Sequence, residues 1–283
     1  MAATYRMGTG PAARVAQLSR WGPWQAADRL LAEIPEVAGG RVVLVGDVRC
    51  GGLAALGAGA SDVCAALDTP DGAALALSVV ACRELPRASA AALFGEDAFG
   101  RRVWFYHHVR GGLPTESRAF WDAHERTVRL GLCTSAGFEQ RLARVSAVWK
   151  LGRGRRRARL QAEAVAAAWG GADLDSARLV DDTVWTRALR AGRPPGLTEG
   201  LHSGARRGTV TGEVGPGDVV WLGDALDRSS DPHWTALAPV AVGWTVRERP
   251  VSVPSGWTLQ EWTVDRDCPL VRARFVLRRG RMV

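Results

Sequence analysis

The run Arg41-Val42-Val43-Leu44-Val45-Gly46-Asp47, set between glycines, constrains this chain more than any other feature. Consecutive β-branched residues without polar alternation describe a strand buried on both faces. Such strands belong to parallel sheets covered by helices. The next segments continue the pattern. Gly51 to Gly59 reads as a turn opening a short helix, and Asp62-Val63-Cys64-Ala65-Ala66-Leu67-Asp68 as a second strand ending in an acid. Thr69-Pro70-Asp71 reads as a helix start, with proline where no amide hydrogen bond is needed, and an apolar helix continues from Ala73 to Leu85. Strand, helix, strand, helix opens a doubly wound parallel sheet.

Upstream, Pro11 to Val37 reads as mainly helical, broken at Gly22-Pro23, with Leu30, Leu31 and Ile34 on an apolar face. From about Ala88 to Arg190 helical patterns dominate, and Gly192 to Gly217 reads as a connector rich in Gly, Pro, Ser and Thr. Strand character returns in Asp218 to Leu222 and again in Val240 to Arg247, with a helical stretch over Asp231 to Leu237 between them. Two alternating stretches around Asp265-Arg266-Asp267 close the chain as an antiparallel hairpin. The expected fold is α/β, a Rossmann-like, mostly parallel sheet with a C-terminal antiparallel hairpin. It forms a single domain over residues 1–283, with a mainly helical insertion at about 88–216.

Composition excludes several classes. The 283 residues are 47% hydrophobic and 23% charged, ordinary for a globular protein. No apolar run is long enough to cross a bilayer, and the first residues lack the apolar core of a signal peptide, so a cytoplasmic location is expected. Five scattered cysteines include no CxxC pair, which argues against a disulfide framework and a zinc site. The net charge of +8 is almost wholly arginine, since Lys150 is the one lysine. That bias favours acidic partners in general.

A nucleotide site on such a sheet needs small residues in the first turn and an acid after the second strand to accept from both ribose hydroxyls. Gly46, Asp47, Arg49, Cys50 and Gly51 supply the turn, and Asp68 the acid, with Thr69 beside it. The turn is not a clean GxGxxG. By themselves these residues are equally compatible with an ordinary strand–helix turn and a helix-capping aspartate.

The order of motifs adds to this. The chain reads DVRCGGLAAL, then AALDTP and its helix, then LFGEDAFG, then FWDAHERTVRLGLCTSAGFEQRL. Over Arg41 to Glu139 this resembles the S-adenosylmethionine (SAM):diacylglycerol 3-amino-3-carboxypropyltransferases, first enzymes of betaine-lipid synthesis. That family shows a Ser-Ala-Gly-Cys/Asp-Asn-Ala-Leu-like turn, a strand ending Val-Asp-Leu-Asn-Pro, and a later FW helical block. WLGDALD resembles the family's Leu-Leu-Asp-x-x-Asp after the fourth strand, placing Asp224 and Asp227, and VDRDCPLVRARFVL resembles its terminal hairpin. The resemblance implies a class I SAM-dependent transferase fold and transfer of the 3-amino-3-carboxypropyl group to a nucleophile, releasing methylthioadenosine. It implies SAM as co-substrate and no metal. There are departures. Arg49 stands where the family turn has glycine, Gly51 where it has asparagine, and Thr69 where asparagine follows the acid. Pro269-Leu270-Val271 lacks the family's tyrosine.

Arg49 would either obstruct the close approach of SAM or reach its carboxylate. Asp47 either meets the SAM amino group or stabilises the turn. An alcohol or amine acceptor needs a proton acceptor, for which Asp224, Asp227 and the Tyr106-His107-His108 cluster are candidates. The acceptor itself is a lipid hydroxyl, a small metabolite or a peptide. Class I methyl transfer is the alternative reaction, and a non-catalytic basic binding module the alternative class. Arg153 to Arg159, the densest charge run, reads either as a solvated helix face or as a patch for an anionic membrane, which would place the protein peripherally there. Nucleic acid is not favoured, because no RRM, KH or zinc motif accompanies the charge.

Overall fold

The computed structural model describes residues 27, 30–46, 48–94, 101–130, 199–223, 233–245, 252–264 and 273–280. The expected helix before Trp24, the helical patterns between 131 and 198, the arginine run and the tip of the closing hairpin lie outside them.

Seven strands form one sheet in the order β3-β2-β1-β4-β5-β7-β6. They are β1 (Arg41–Leu44), β2 (Asp62–Cys64), β3 (Thr209–Thr211), β4 (Val219–Gly223), β5 (Val240–Thr245), β6 (Trp257–Val264) and β7 (Ala273–Arg279). The first five pair in parallel, while β7 runs antiparallel to both β5 and β6. The protein is therefore α/β with a mostly parallel sheet and the expected C-terminal hairpin. Strand order reverses between β1 and β4, the topological switch point.

The period-2 geometry of a strand divides the apolar residues between two faces. Val42, Leu44, Val63, Val219, Trp221, Val242 and Val276 share one core with the helices. Val43, Cys64, Val220, Leu222, Phe275 and Leu277 share the other with Trp234 and Trp257, whose rings meet edge to face at 4.9 Å. On the first face lie α1 (Val48–Gly57), α2 (Pro70–Glu84) and α7 (Glu199–Arg207), packed against one another. Leu30, Leu31 and Ile34, the expected apolar face of the upstream helix, are buried in the same core.

The helix α2 starts as its sequence dictates. Thr69 is its N-cap, accepting from the Gly72 amide at 3.1 Å, and Pro70 occupies the first turn. Four further helices, α3 (Arg87–Phe94), α4 (Arg102–Val109), α5 (Thr115–Asp122) and α6 (Glu125–Leu130), follow it. The expected insertion boundary near 216 needs correction. Residues 199–207 are a helix of the main layer and 209–211 a strand of the sheet, so the segment read as connector is the return path into the fold. Local composition hid this because Gly204 and Gly208, which look like loop residues, serve contact. A methyl group on Gly204 would lie 2.3 Å from the Leu56 carbonyl oxygen, and one on Gly208 2.2 Å from Leu56 Cδ2.

The amino ends of the strands are stitched by charge. Arg41 pairs with Asp62 at 3.2 Å and donates to the Glu213 carbonyl at 2.8 Å, while Thr209 donates to Asp62 at 2.8 Å. At the far side of the sheet, Arg278 pairs with Glu36, whose carboxyl is held below its ordinary range chiefly by that hydrogen bond.

Candidate functional site

Ligands of open parallel sheets bind beyond the carboxyl ends of the strands at the switch point. Here those ends belong to β1, β2 and β4. After Leu44 the chain keeps one more ladder bond, from the Val45 amide to the Trp221 carbonyl at 2.9 Å, and then leaves the sheet. Val45 is 42% exposed although it is apolar, and Gly46 is half-buried. The helix α1 starts at Val48, two residues after Gly46. Across the switch point, β4 bulges before it ends. The register with β5 slips between Trp221 and Gly223, and Gly223 has φ +52°. Bulges of this kind re-aim the chain beside sites. Gly243, opposite, must also be small, since a methyl group there would lie 2.8 Å from the Gly223 carbonyl oxygen.

Asp68 needs a correction of place. The strand expected to end on it stops at Cys64, although the Ala65 amide still bonds to the Thr211 carbonyl at 3.1 Å. The chain then turns, with the Thr69 amide bonded to the Ala66 carbonyl at 3.3 Å. Asp68 is an exposed residue of this turn, four residues beyond the end of β2 at Cys64. The turn is pinned from two directions. Gly72 presses so closely that a methyl group on it would sit 2.0 Å from the Ala66 carbonyl oxygen. Ser117 of α5 donates to the Leu67 carbonyl at 3.3 Å.

The remaining candidates separate. Thr69 uses its hydroxyl locally, donating to Ala66 at 2.7 Å as well as capping α2. Arg49 is 9% exposed in the first turn of α1, and Cys50 follows it in the helix. Gly51 packs under a residue that sequence reading did not single out. A methyl group on Gly51 would lie 2.1 Å from Cδ1 and Nε1 of Trp221, which is fully buried. No local signal could have found this pair, which is separated by most of the chain. Asp47, Asp224 and Asp227 lie outside the described residues.

Tyr106 and His107 stand elsewhere, on α4, which packs against α2, α3 and α6. Tyr106 is 1% exposed and donates its hydroxyl to Asp122 at 2.8 Å. Burial and that hydrogen bond push its pKa upward, the wrong direction for a proton acceptor. The Tyr106 hydroxyl ties α4 to α5. His107 and His108 are exposed, and His108 stacks on Trp104 with ring centroids 5.8 Å apart.

Asp122 also accepts from Arg110 Nε at 2.7 Å. Hydrogen bonding to Arg110, then to Tyr106, brings its pKa down to about 2. A depressed carboxylate contributes stability that is full above its unfolded value, roughly 4, and is lost as pH falls through the folded value. Urea midpoints of the wild type should therefore decline between pH 4 and 2, and Asp122→Asn should flatten part of that decline. An identical acid limb in both proteins would show that the tie adds nothing.

Comparison of the chain with protein-family models, curated proteins and solved structures gives no match.

Proposed function

We propose that this protein is a SAM-dependent transferase, and that it moves the 3-amino-3-carboxypropyl group of SAM to a nucleophilic acceptor. The strand order carries the reading. A parallel sheet ordered β3-β2-β1-β4-β5 and closed by β6 and an inserted antiparallel β7 is similar to the sheet of class I SAM-dependent transferases. The motif order from Arg41 to Glu139, by its resemblance, is the ground for proposing the aminocarboxypropyl branch. Methyl transfer is the second reading, because the same strand order serves it.

Asp68, exposed in the turn after β2, is the proposed acceptor of the two ribose hydroxyls. The sulfonium of SAM is already an activated leaving group, so the chemical demand is alignment. A lone pair of the acceptor attacks the γ-carbon, the C–S bond breaks with its electron pair going to sulfur, and methylthioadenosine departs. The acceptor proton goes to a base, for which Asp224, directly after the β4 bulge, is the proposed residue. The acceptor is a lipid hydroxyl, a small metabolite or a peptide. Among the described residues no helix is long and apolar enough to cross a membrane. Any association with an anionic membrane would be peripheral.

Incubation with SAM followed by mass spectrometry of the nucleoside should find methylthioadenosine. S-adenosylhomocysteine would select methyl transfer, and no product together with no calorimetric binding would overturn both. Asp68→Ala should weaken SAM binding about 30-fold, the loss of two hydrogen bonds to a charged group. Its melting temperature should stay within about 2 °C, since Asp68 is exposed. Unchanged affinity would place the ribose elsewhere.

A further inference from the structure

The strand β6 stands at one end of the sheet, and among the described residues no strand pairs with its outer side. At eight residues it is the longest described strand, whereas β3, at the opposite end, has three. An unpaired edge is a row of amides and carbonyls able to add another strand, and natural edges are blunted by shortness, lysine, proline or a bulge. β6 has no lysine or proline, and its single charged residue is Glu261. It does have a bulge. The register with β7 shifts between Leu259 and Glu261, which leaves Gln260 without a cross-strand partner. A bulge of this kind reverses the alternation of the strand at its centre. Trp257 and Leu259 pack with Phe275 and Leu277 on one sheet face, and so does Trp262, three residues after Leu259. Thr258, Glu261 and Thr263 stand opposite Arg278, Val276 and Arg274, on the helix-covered side, and all three are exposed.

We infer that β6 is a self-association surface: two copies of the chain pair their β6 strands antiparallel about a two-fold axis between Gln260 and Glu261, joining two seven-stranded sheets into one. The strand reads the same both ways in polarity, Trp-Thr-Leu-Gln followed by Glu-Trp-Thr-Val. In this register Thr258 meets Thr263 of the other copy, Leu259 meets Trp262, and Gln260 meets Glu261. Residues directly opposite in an antiparallel pair share a face. A regular strand cannot meet that condition about an axis between two successive residues, because neighbours point to opposite faces. The bulge meets it, by putting Leu259 and Trp262 on one face and Thr258 and Thr263 on the other. Apolar side chains then meet apolar ones and hydroxyls meet hydroxyls, the combinations that stabilise cross-strand pairs. The charges agree. Glu261 faces an amide that can donate to it, not a second carboxylate. Its own chain also supplies Arg278, whose pKa is raised by the hydrogen bond to Glu36 and further by the charge of Glu261. Pairing β6 with β3 of another copy would match only three residues. An isologous pair closes on itself, so the product is a dimer. β4 runs parallel to β6, so the carboxyl ends of the two β4 strands point opposite ways and each copy keeps its own switch point. The inference therefore stands apart from the SAM reading.

Sedimentation equilibrium of the full chain should find a dimer, twice 30.3 kDa, with a dissociation constant of about 1–50 µM. Two substitutions at one exposed position should move that equilibrium in opposite directions. Gln260→Glu sets a carboxylate opposite Glu261 twice per dimer and should weaken association about 5- to 20-fold. Gln260→Lys sets a cation there instead and should tighten it about 3- to 10-fold. Thr258→Lys combined with Thr263→Lys brings like charges face to face at both ends, and should leave only monomer at about 100 µM. Each variant should melt within about 3 °C of the wild type by circular dichroism, since the substituted residues are exposed. A wild type that is monomeric at about 100 µM would overturn the inference. So would a dimer indifferent to all three variants, which would place the interface elsewhere. Movement of both Gln260 variants in the same direction would overturn the register and the inference with it. A mass that climbs past the dimer with concentration would mean an open, head-to-tail contact, and would overturn it as well.

Discussion

Truncating Trp121 to alanine should cost about 3–5 kcal/mol and should do so in a single unfolding transition. Trp121 is fully buried on α5, and its Nε1 donates to the Ala73 carbonyl in the first turn of α2 at 2.9 Å. One side chain thus joins the inserted helices to the helix that covers the sheet. It belongs to the same apolar core as Val42, Leu75 and Val219. A cavity of indole size between two helices cannot close without moving α5, so the transfer and cavity costs add. Trp121→Phe separates the contributions. It keeps most of the packing and loses the hydrogen bond, an expected cost of about 1 kcal/mol plus a smaller volume penalty. Urea unfolding followed by far-UV circular dichroism reads both. Two resolved transitions, with only the weaker one moved by the alanine variant, would show that the insertion folds apart from the sheet. The consequence for function is direct, since α5 also holds the Asp68 turn through Ser117.

The second large effect is at Gly204. Valine there should destabilise by about 1–3 kcal/mol through overpacking, even though valine is the better helix former. The atoms in the way are backbone. A methyl group on Gly204 would lie 2.3 Å from the Leu56 carbonyl oxygen and 2.7 Å from Gly57 Cα. Neither can swing aside as a side-chain tip would, so α7 must lift from α1. The same helix contains its own control. A methyl group on Gly200 would meet nothing within 4 Å, so Gly200→Ala should raise stability by a few tenths to about 1 kcal/mol. Thermal melts of the two variants should move in opposite directions. A gain from Gly204→Val would mean that the α1–α7 crossing is not as close as described.

These two positions also show how far sequence reading reached. Trp121 was legible as a residue of an FW helical block, and its burial follows from its character. Its partner Ala73 was not, because a carbonyl in an apolar helix carries no signal. Gly204 was misread, because a glycine that permits helix contact and a glycine that permits a loop are the same letter. The same ambiguity separated Gly51, read as a point of ligand approach, from its contact with Trp221. Asp68 was read on the right side of the sheet but on the wrong element. Two alanines and a leucine after Cys64 continue the apolar run without continuing the ladder, and only pairing with Thr211 decides where the strand stops.

The sequence by itself determined the local terms. Uninterrupted β-branched runs settled which segments are buried parallel strands, Thr69-Pro70 settled where α2 begins, and alternation around Asp265 settled the closing hairpin. Each follows from steric preferences within a few residues. Strand order, the return of residues 199–211 into the sheet, the tie of Tyr106 to Asp122, and the burial of the Trp221 donor against the first turn of α1 were decided by the tertiary structure. They depend on which distant surfaces meet. The physical reason is that side-chain periodicity specifies which face of an element is buried, whereas its partner is chosen by the fit of whole surfaces.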